Sequence, residues 1–100
     1  MRPFHLAFPV DNLEQTREFY TKTLGCNEGR SSDRWIDFDM YGHQVVAHLV
    51  DTLDSVATNQ VDGDEVPASH FGVILTMEEW TMLSDRLKTI DIKFIIEPHV

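Results

Sequence analysis

The chain repeats one short pattern at an offset of 65 residues, and this repeat restricts the folds that it can adopt. Two apolar runs each carry a histidine in their second position, His5 in the first run and His70 in the second. Each run leads directly into a helix signal, where Asp11 and Thr76 are the predicted N-caps and a glutamate follows three residues later. A pattern that recurs with its spacing intact indicates two copies of one strand–helix module.

The first module is predicted from the sequence around the first repeat. The apolar run at 4–10 has the length of a strand, and the next segment has the apolar spacing of a helix. The further predicted elements are a helix over 12–24 that ends at Gly25, strands over 26–30, 34–40 and 44–50, and a tight turn at Tyr41 and Gly42.

The second module is shorter. A polar, turn-rich linker over 51–68 leads to a strand from 69, a helix over 77–89 and a strand over 92–96. The whole pattern predicts an α+β fold, in which a βαβββ module (1–50) and a partial second βαβ module (69–100) form a curved mixed sheet with the helices on one side. By comparison with the first module, we expect the second to lack its final hairpin.

Strand alternation places the histidines away from the helices. His5 lies on the face of the first strand that carries small neighbours, and His70 has the same place in the matching run. His48, in the strand over 44–50, could join them. Three imidazoles on one sheet face would suit a divalent metal such as Zn²⁺, Fe²⁺, Mn²⁺ or Ni²⁺. The alternative is that each is an isolated polar residue bonded to a backbone carbonyl, and His43 and His99 are interpreted as surface residues.

Charge and cysteine content exclude several classes of protein. The chain has 17 acidic and 8 basic side chains and a formal net charge of −9, so it would repel a phosphate backbone and is not expected to bind nucleic acid. A single cysteine, Cys26, cannot form an internal disulfide, which fits a reducing compartment. No stretch approaches the roughly 18 apolar residues of a membrane span, and patterned sequence begins at once. We therefore expect a cytoplasmic domain without a membrane segment or signal peptide.

Two segments resemble a known family. The residues His-Leu-Ala-Phe-Pro-Val-Asp-Asn-Leu at 5–13 and Ser-His-Phe-Gly-Val at 69–73 are similar to those of the vicinal oxygen chelate superfamily. That group includes glyoxalase I, extradiol dioxygenases, fosfomycin-resistance enzymes and bleomycin-resistance proteins. The resemblance implies paired βαβββ modules around a metal ion, with His5 and His70 at the positions of two ligands. His48 stands near the place of a ligand that some members add, whereas the family's last-strand glutamate has no counterpart here.

The resemblance implies three possible functions. The first is a metal-dependent lyase, isomerase or ring-cleavage dioxygenase, whose metal stabilises the oxyanion that develops on a small-molecule substrate. His48 is then the candidate general base. The second is a protein that binds or sequesters a small molecule without turning it over, as bleomycin-resistance proteins do. The third is an inactive, truncated homologue.

The second module also predicts an oligomer. Without a final hairpin, the edge of the strand over 92–96 and the underside of the helix over 77–89 would be bare. Exposed strand edges and apolar patches are usually covered by another chain, most often by two-fold association. We therefore expect a homodimer.

Overall fold

The computed structural model describes residues 2–53, 58–61 and 63–90. The chain divides into two compact units, Met1–Leu53 and Asp54–Val100. The boundary between the units lies inside the stretch that the sequence predicts as a linker.

The first unit is a mixed four-stranded sheet with a helical layer packed on it. Its strand order is β1-β4-β3-β2, with β1 parallel to β4 and the other neighbouring pairs antiparallel. The α+β fold and the βαβββ order are therefore confirmed, and each predicted bound is within one residue of the observed one. The elements are β1 (His5–Val10), α1 (Leu13–Glu18), a π-helical segment (Phe19–Thr23), β2 (Asn27–Ser31), β3 (Trp35–Met40) and β4 (His43–Leu49).

The turn between β3 and β4 forms where the sequence predicts it. Tyr41 and Gly42 have φ angles of 51° and 87°, the pair of positive angles that a two-residue type I′ connection requires. Asp39 stabilises the turn, because its Oδ1 accepts a hydrogen bond from the backbone N–H of Gly42 at 2.8 Å. This turn sets the pairing of β3 with β4, on which the polar face of the sheet depends.

The helical layer covers one face of the sheet through Tyr20. Its ring stacks on Phe38 with the centroids 4.9 Å apart, and lies 5.6 Å from the ring of Phe8. Burial, with a smaller contribution from the charge of Cys26, raises the pKa of Tyr20 to about 12. The buried apolar residues on this face are Ile36, Phe38, Met40, Val45 and Ala47. The core of the unit therefore lies between the helical layer and β3 and β4.

The start of the first helix differs from the prediction. The N-cap is Asn12 and not Asp11: its backbone is extended, and its side-chain oxygen accepts from the N–H of Gln15 at 2.9 Å. Glu14 consequently takes no part in a capping box and instead pairs with Arg17. The two caps are thus 64 residues apart, although the two histidines keep their offset of 65.

The end of the same helix is a π-helical turn. The backbone N–H of Leu24 donates to the carbonyl oxygen of Phe19, five residues earlier, at 2.9 Å. Gly25 then adopts a φ of 78°, which ends the helix as predicted.

The second unit contains a hairpin and a helix. The hairpin joins β5 (Thr58–Val61) to β6 (Asp64–Pro67) in antiparallel pairing, inside the predicted linker, where short polar strands give no apolar alternation to detect. Helix α2 (Met77–Lys88) forms as predicted. Its N-cap is a full capping box: Glu79 N–H donates to Thr76 Oγ1 at 3.2 Å, and Thr76 N–H to the Glu79 carboxylate at 3.0 Å.

The predicted strand that begins at 69 does not form a ladder within the described ranges. Residues 70–76 form no strand, and the strand predicted over 92–96, together with His99, lies outside the described residues. In those ranges, no helix is both long enough and apolar enough to cross a membrane; α2 has 12 residues, whereas a span takes about 20.

Candidate functional site

The sheet of the first unit has a polar face opposite its helical layer. Because paired residues of neighbouring strands share a face, the register places His5 of β1 beside Gln44 of β4, and Gln44 beside Asp39 of β3. Asp37 and His48 lie on the same side, opposite Val46 and Pro9 respectively. The alternation predicted for β1, with His5 turned away from the helices, is seen in the exposure of its odd-numbered residues.

Four side chains on this face form a continuous chain of polar contacts. His5 Nδ1 lies 2.7 Å from Gln44 Oε1, and Gln44 Nε2 donates to Asp37 Oδ2 at 3.1 Å. The same Asp37 oxygen lies 3.6 Å from Arg30 Nε. We call His5, Gln44, Asp37 and Arg30 the polar network. Asp37 is only 8% exposed, so a buried carboxylate lies between the exposed side chains of His5 and Arg30 at the two ends of the network.

A β-bulge brings Arg30 to this face. The pairing of β2 with β3 shifts between Glu28 and Ser31, which is the place of Gly29 and Arg30. The Arg30 guanidinium lies 5.9 Å from the centre of the Trp35 ring, within the range of a cation–π contact. Since the Arg30 side chain is 81% exposed, its ion pair with Asp37 contributes little to stability.

His48 lies on the polar face but not beside His5. It pairs with Pro9 of β1 and Trp35 of β3, whereas His5 pairs with Gln44. Four residues along a strand correspond to about 13 Å, so the two imidazoles occupy opposite ends of the face. The role of His48 as a ligand or general base stays a prediction.

His70 lies in the second unit and has a partner of its own. Its Nδ1 is 2.8 Å from the backbone carbonyl oxygen of Pro67, and its ring is exposed. A carbonyl oxygen only accepts hydrogen bonds, so Nδ1 of His70 donates and its Nε2 carries the lone pair. The Nδ1 of His5 also faces an amide oxygen, that of Gln44, so the two repeat-related histidines make the same kind of contact.

His43 makes the reverse contact. Its Nδ1 accepts a hydrogen bond from the backbone N–H of Phe4 at 2.7 Å, so in the neutral ring the proton is on Nε2. His43 is predicted from the sequence to be a surface residue, whereas in the structure it is half-buried and bonded to Phe4, directly before β1. His43 therefore helps to hold the start of β1 beside β4.

The environment of His5 and His70 fits what a metal ligand needs. A ligating histidine usually donates its second ring N–H to a carboxylate or carbonyl oxygen, which fixes the ring and leaves the other nitrogen for the metal. Both histidines have this contact. Within the described ranges, no group of three or more His, Cys, Asp or Glu side chains is close enough together to hold a metal ion.

Three members of the polar network, namely Arg30, Asp37 and Gln44, are not predicted from the sequence. One signal was available: in β3, aspartates at 37 and 39 alternate with buried apolar residues, which places both carboxylates on the face opposite the core. The contact of Asp37 with Gln44 is made between two strands, β3 and β4, and the alternation within β3 alone does not show it.

The first unit is thus a βαβββ module whose first strand carries a histidine on the open face of the sheet. The sequence profile of the Glyoxalase/Bleomycin resistance protein/Dioxygenase superfamily matches residues 2–100. The chain therefore belongs to this superfamily, and the resemblance noted from the sequence is confirmed.

Two solved structures support this assignment. One, a glyoxalase/bleomycin resistance protein/dioxygenase from Alicyclobacillus acidocaldarius, is 30% identical, with a TM-score of 0.72 over 88% of this chain and 62% of that one. The other, an integron cassette protein from the mobile metagenome of the Halifax Harbour sewage outfall, is 25% identical, with a TM-score of 0.66 over 88% of this chain and 69% of that one. The present chain thus spans about three fifths of the length of the first neighbour. Among curated proteins, none matches the chain.

Proposed function

We propose that this chain is a metal-dependent small-molecule enzyme of the glyoxalase or dioxygenase type, in which His5 and His70 bind one divalent ion (Fe, Mn, Ni or Zn). One observation carries the proposal: each of these histidines directs Nδ1 at an amide oxygen, 2.7 Å away for His5 and 2.8 Å for His70. Each therefore presents Nε2, the nitrogen free to bind a metal. The superfamily membership of the chain supports the same function.

The side chains of the polar face would divide the remaining work. When bound, the metal supplies Lewis-acid stabilisation of negative charge on a substrate oxygen. Gln44 holds the His5 ring in place through the contact with Nδ1. His48, an exposed imidazole on the same face, is proposed as the general base that takes a proton from the substrate. The ring of Trp35 lies beside it in register and would exclude water from one side of the substrate.

Zinc binding tests the proposed ligands. Titration calorimetry of the full chain with Zn²⁺ is expected to show binding that is abolished by His5→Ala and by His70→Ala, since each removes a ligand. His43→Ala is the matched control, because His43 lies in the same unit as His5 but uses Nδ1 as an acceptor. Undiminished zinc affinity in the His5→Ala variant would contradict the site. His48→Ala shows in the same titration whether His48 is a third ligand.

A non-catalytic binding protein is the second candidate function. The net charge of −9 and the two aspartates of the polar face would attract a cationic small molecule. A panel of glyoxalase and catechol-cleavage assays on the zinc-, iron- or nickel-loaded protein separates the two candidates. Turnover in any assay favours the enzyme, and its absence together with saturable binding of a cationic ligand favours the binding protein.

The proposal includes a cytoplasmic homodimer. Three exposed apolar side chains of the second unit, Ile74, Met77 and Met82, lie just before α2 and in its first half, and such residues are usually covered when they form a patch. The lone Cys26 agrees with a reducing compartment. Sedimentation equilibrium at micromolar concentration is expected to give a mass of twice 11.5 kDa, and a single-chain mass would contradict the dimer.

A further inference from the structure

We infer that Asp37 is a positioning residue for His5: it fixes the orientation of the Gln44 amide and, through that amide, the tautomer of the His5 ring. The neutral imidazole then carries its proton on Nδ1 and its lone pair on Nε2. The inference rests on the proposed function only for its purpose, which is to present Nε2 to a metal. The tautomer itself is a property of the chain alone.

The first step is the contact between Asp37 and Gln44. A carboxylate only accepts hydrogen bonds, whereas a glutamine amide has a donating end and an accepting end. Gln44 Nε2 lies 3.1 Å from Asp37 Oδ2. If the amide turned over, two oxygens would face each other at this partly buried place with no hydrogen between them, which is costly. Asp37 therefore holds the Nε2 end towards itself.

The second step is the contact between Gln44 and His5. With Nε2 held by Asp37, the Oε1 end of the amide faces His5 Nδ1 at 2.7 Å. An amide oxygen only accepts, so Nδ1 of His5 must carry the proton. In the neutral ring the proton is then absent from Nε2.

The position of Asp37 is itself restricted. Its neighbours in β3, Ile36 and Phe38, are fully buried, so the backbone of Asp37 cannot move without disturbing the core. On the side of β2, a β-carbon added at Gly29 would lie 3.3 Å from the Asp37 β-carbon, which leaves little room there. Arg30 Nε lies 3.6 Å from the Asp37 oxygen that Gln44 bonds, so that oxygen has a partner on the side of β2 as well.

The other histidines show why His5 needs such a residue. The partner of His70 is the backbone carbonyl of Pro67, which cannot exchange an oxygen for an N–H. The partner of His43 is a backbone N–H, which cannot become an acceptor. Of these three histidines, only His5 depends on a side-chain amide that could present either end, and a carboxylate binds the other end of that amide.

The tautomer can be measured in the metal-free protein. Two-bond ¹H–¹⁵N correlation spectra of the ¹⁵N-labelled full chain, recorded at a pH where the imidazoles are neutral, distinguish protonated from unprotonated ring nitrogens. In the wild type we expect His5 and His70 to be protonated at Nδ1 and His43 at Nε2. In Asp37→Ala, the Nε2–H form of His5 is expected to become the major form, with His70 and His43 unchanged. An unchanged His5 tautomer in this variant would overturn the inference.

Three further variants test whether Asp37 acts on His5 through Gln44. Asp39→Ala is the matched control, because Asp39 is an aspartate of the same strand and face that pairs with Gln44 in register but bonds Gly42 instead. It should leave His5 unchanged. Gln44→Leu removes the acceptor of His5 and should shift the His5 tautomer towards Nε2–H although Asp37 is still present. The inference therefore remains testable even if Asp37→Ala does not fold. Adding Asp37→Ala to Gln44→Leu should have no further effect, and a further shift of the same size would show that Asp37 does not act through Gln44.

A zinc titration of the same variants separates this inference from the proposed function. Loss of an outer partner of a ligating histidine lowers metal affinity by about 10- to 100-fold, and we expect Asp37→Ala to lower zinc affinity at the small end of that range. If His5→Ala abolishes zinc binding while the His5 tautomer is unchanged in Asp37→Ala, the inference fails and the proposed site stands. If the tautomer follows Asp37 while zinc does not bind, the inference stands and the proposed site fails.

Discussion

The two units hold their repeat-related histidines in different ways. His70 bonds a backbone carbonyl only three residues earlier, so its contact is made within one turn of chain after β6. His5 bonds a side chain 39 residues away, and that contact exists only because β1 pairs with β4. The same ring nitrogen meets the same kind of acceptor through local geometry in one unit and through strand pairing in the other.

The bond of His5 depends on strand pairing, whereas the bond of His70 does not. A slip of one residue in the pairing of β1 with β4 would move Gln44 to the opposite face of the sheet, away from His5. No such slip can affect the bond of His70 to Pro67, because both groups belong to the same short segment. The orientation of His5 is therefore as stable as the sheet, and that sheet is held by the core under Tyr20.

The largest expected effect is on that core. Phe38 is 1% exposed and stacks with Tyr20 at a centroid distance of 4.9 Å, so Phe38→Ala is expected to lower the free energy of unfolding by about 3–5 kcal/mol. The equally large Phe4 is 70% exposed, and Phe4→Ala is expected to lower it by less than about 0.5 kcal/mol. Urea titration followed by circular dichroism measures both. Equal losses would show that the aromatic stack is not the core of the first unit.

A smaller effect is expected at alkaline pH, and only in the first unit, which contains both tyrosines of the chain. Burial raises the pKa of Tyr20 to about 12, above the 10 of an exposed tyrosine. Between these values the unfolded chain loses the phenolic proton while the folded chain keeps it, so stability falls as pH rises through this range. In Tyr20→Phe this loss should be reduced. Unfolding curves at pH 9 and pH 11 that shift equally in both proteins would contradict the assignment.

The smallest expected effect is on the tautomers of His5 and His70. Pro67→Ala keeps the carbonyl oxygen that His70 bonds, so the His70 ring should keep its proton on Nδ1. Gln44→Leu removes the corresponding acceptor of His5 and should change that ring. The two-bond ¹H–¹⁵N spectra described above report both. A His70 tautomer that changes in Pro67→Ala would mean that its contact depends on the side chain after all.

Features that depend on a few neighbouring residues could be predicted from the sequence. The strands of the first module, the turn at Tyr41 and Gly42, and the helix after Thr76 all formed within a residue of their predicted bounds. The alternation of β1 also placed His5 on the face away from the helical layer. The prediction of Asp11 as the N-cap was wrong and shows the limit of such rules. Asn12 is an equally good capping residue, and it has the extended backbone that an N-cap needs.

The sequence by itself determined which residues could share a face, because side chains alternate along every strand whatever their partners are. It did not determine which residue of β4 lies beside His5. The register of β1, β4 and β3 brings His5, Gln44 and Asp37 together and leaves His48 at the far end of the same face. The two-residue turn fixes the register of β3 with β4, but no turn joins β1 to β4, so their register is decided by the pairing of the whole strands over the shared core.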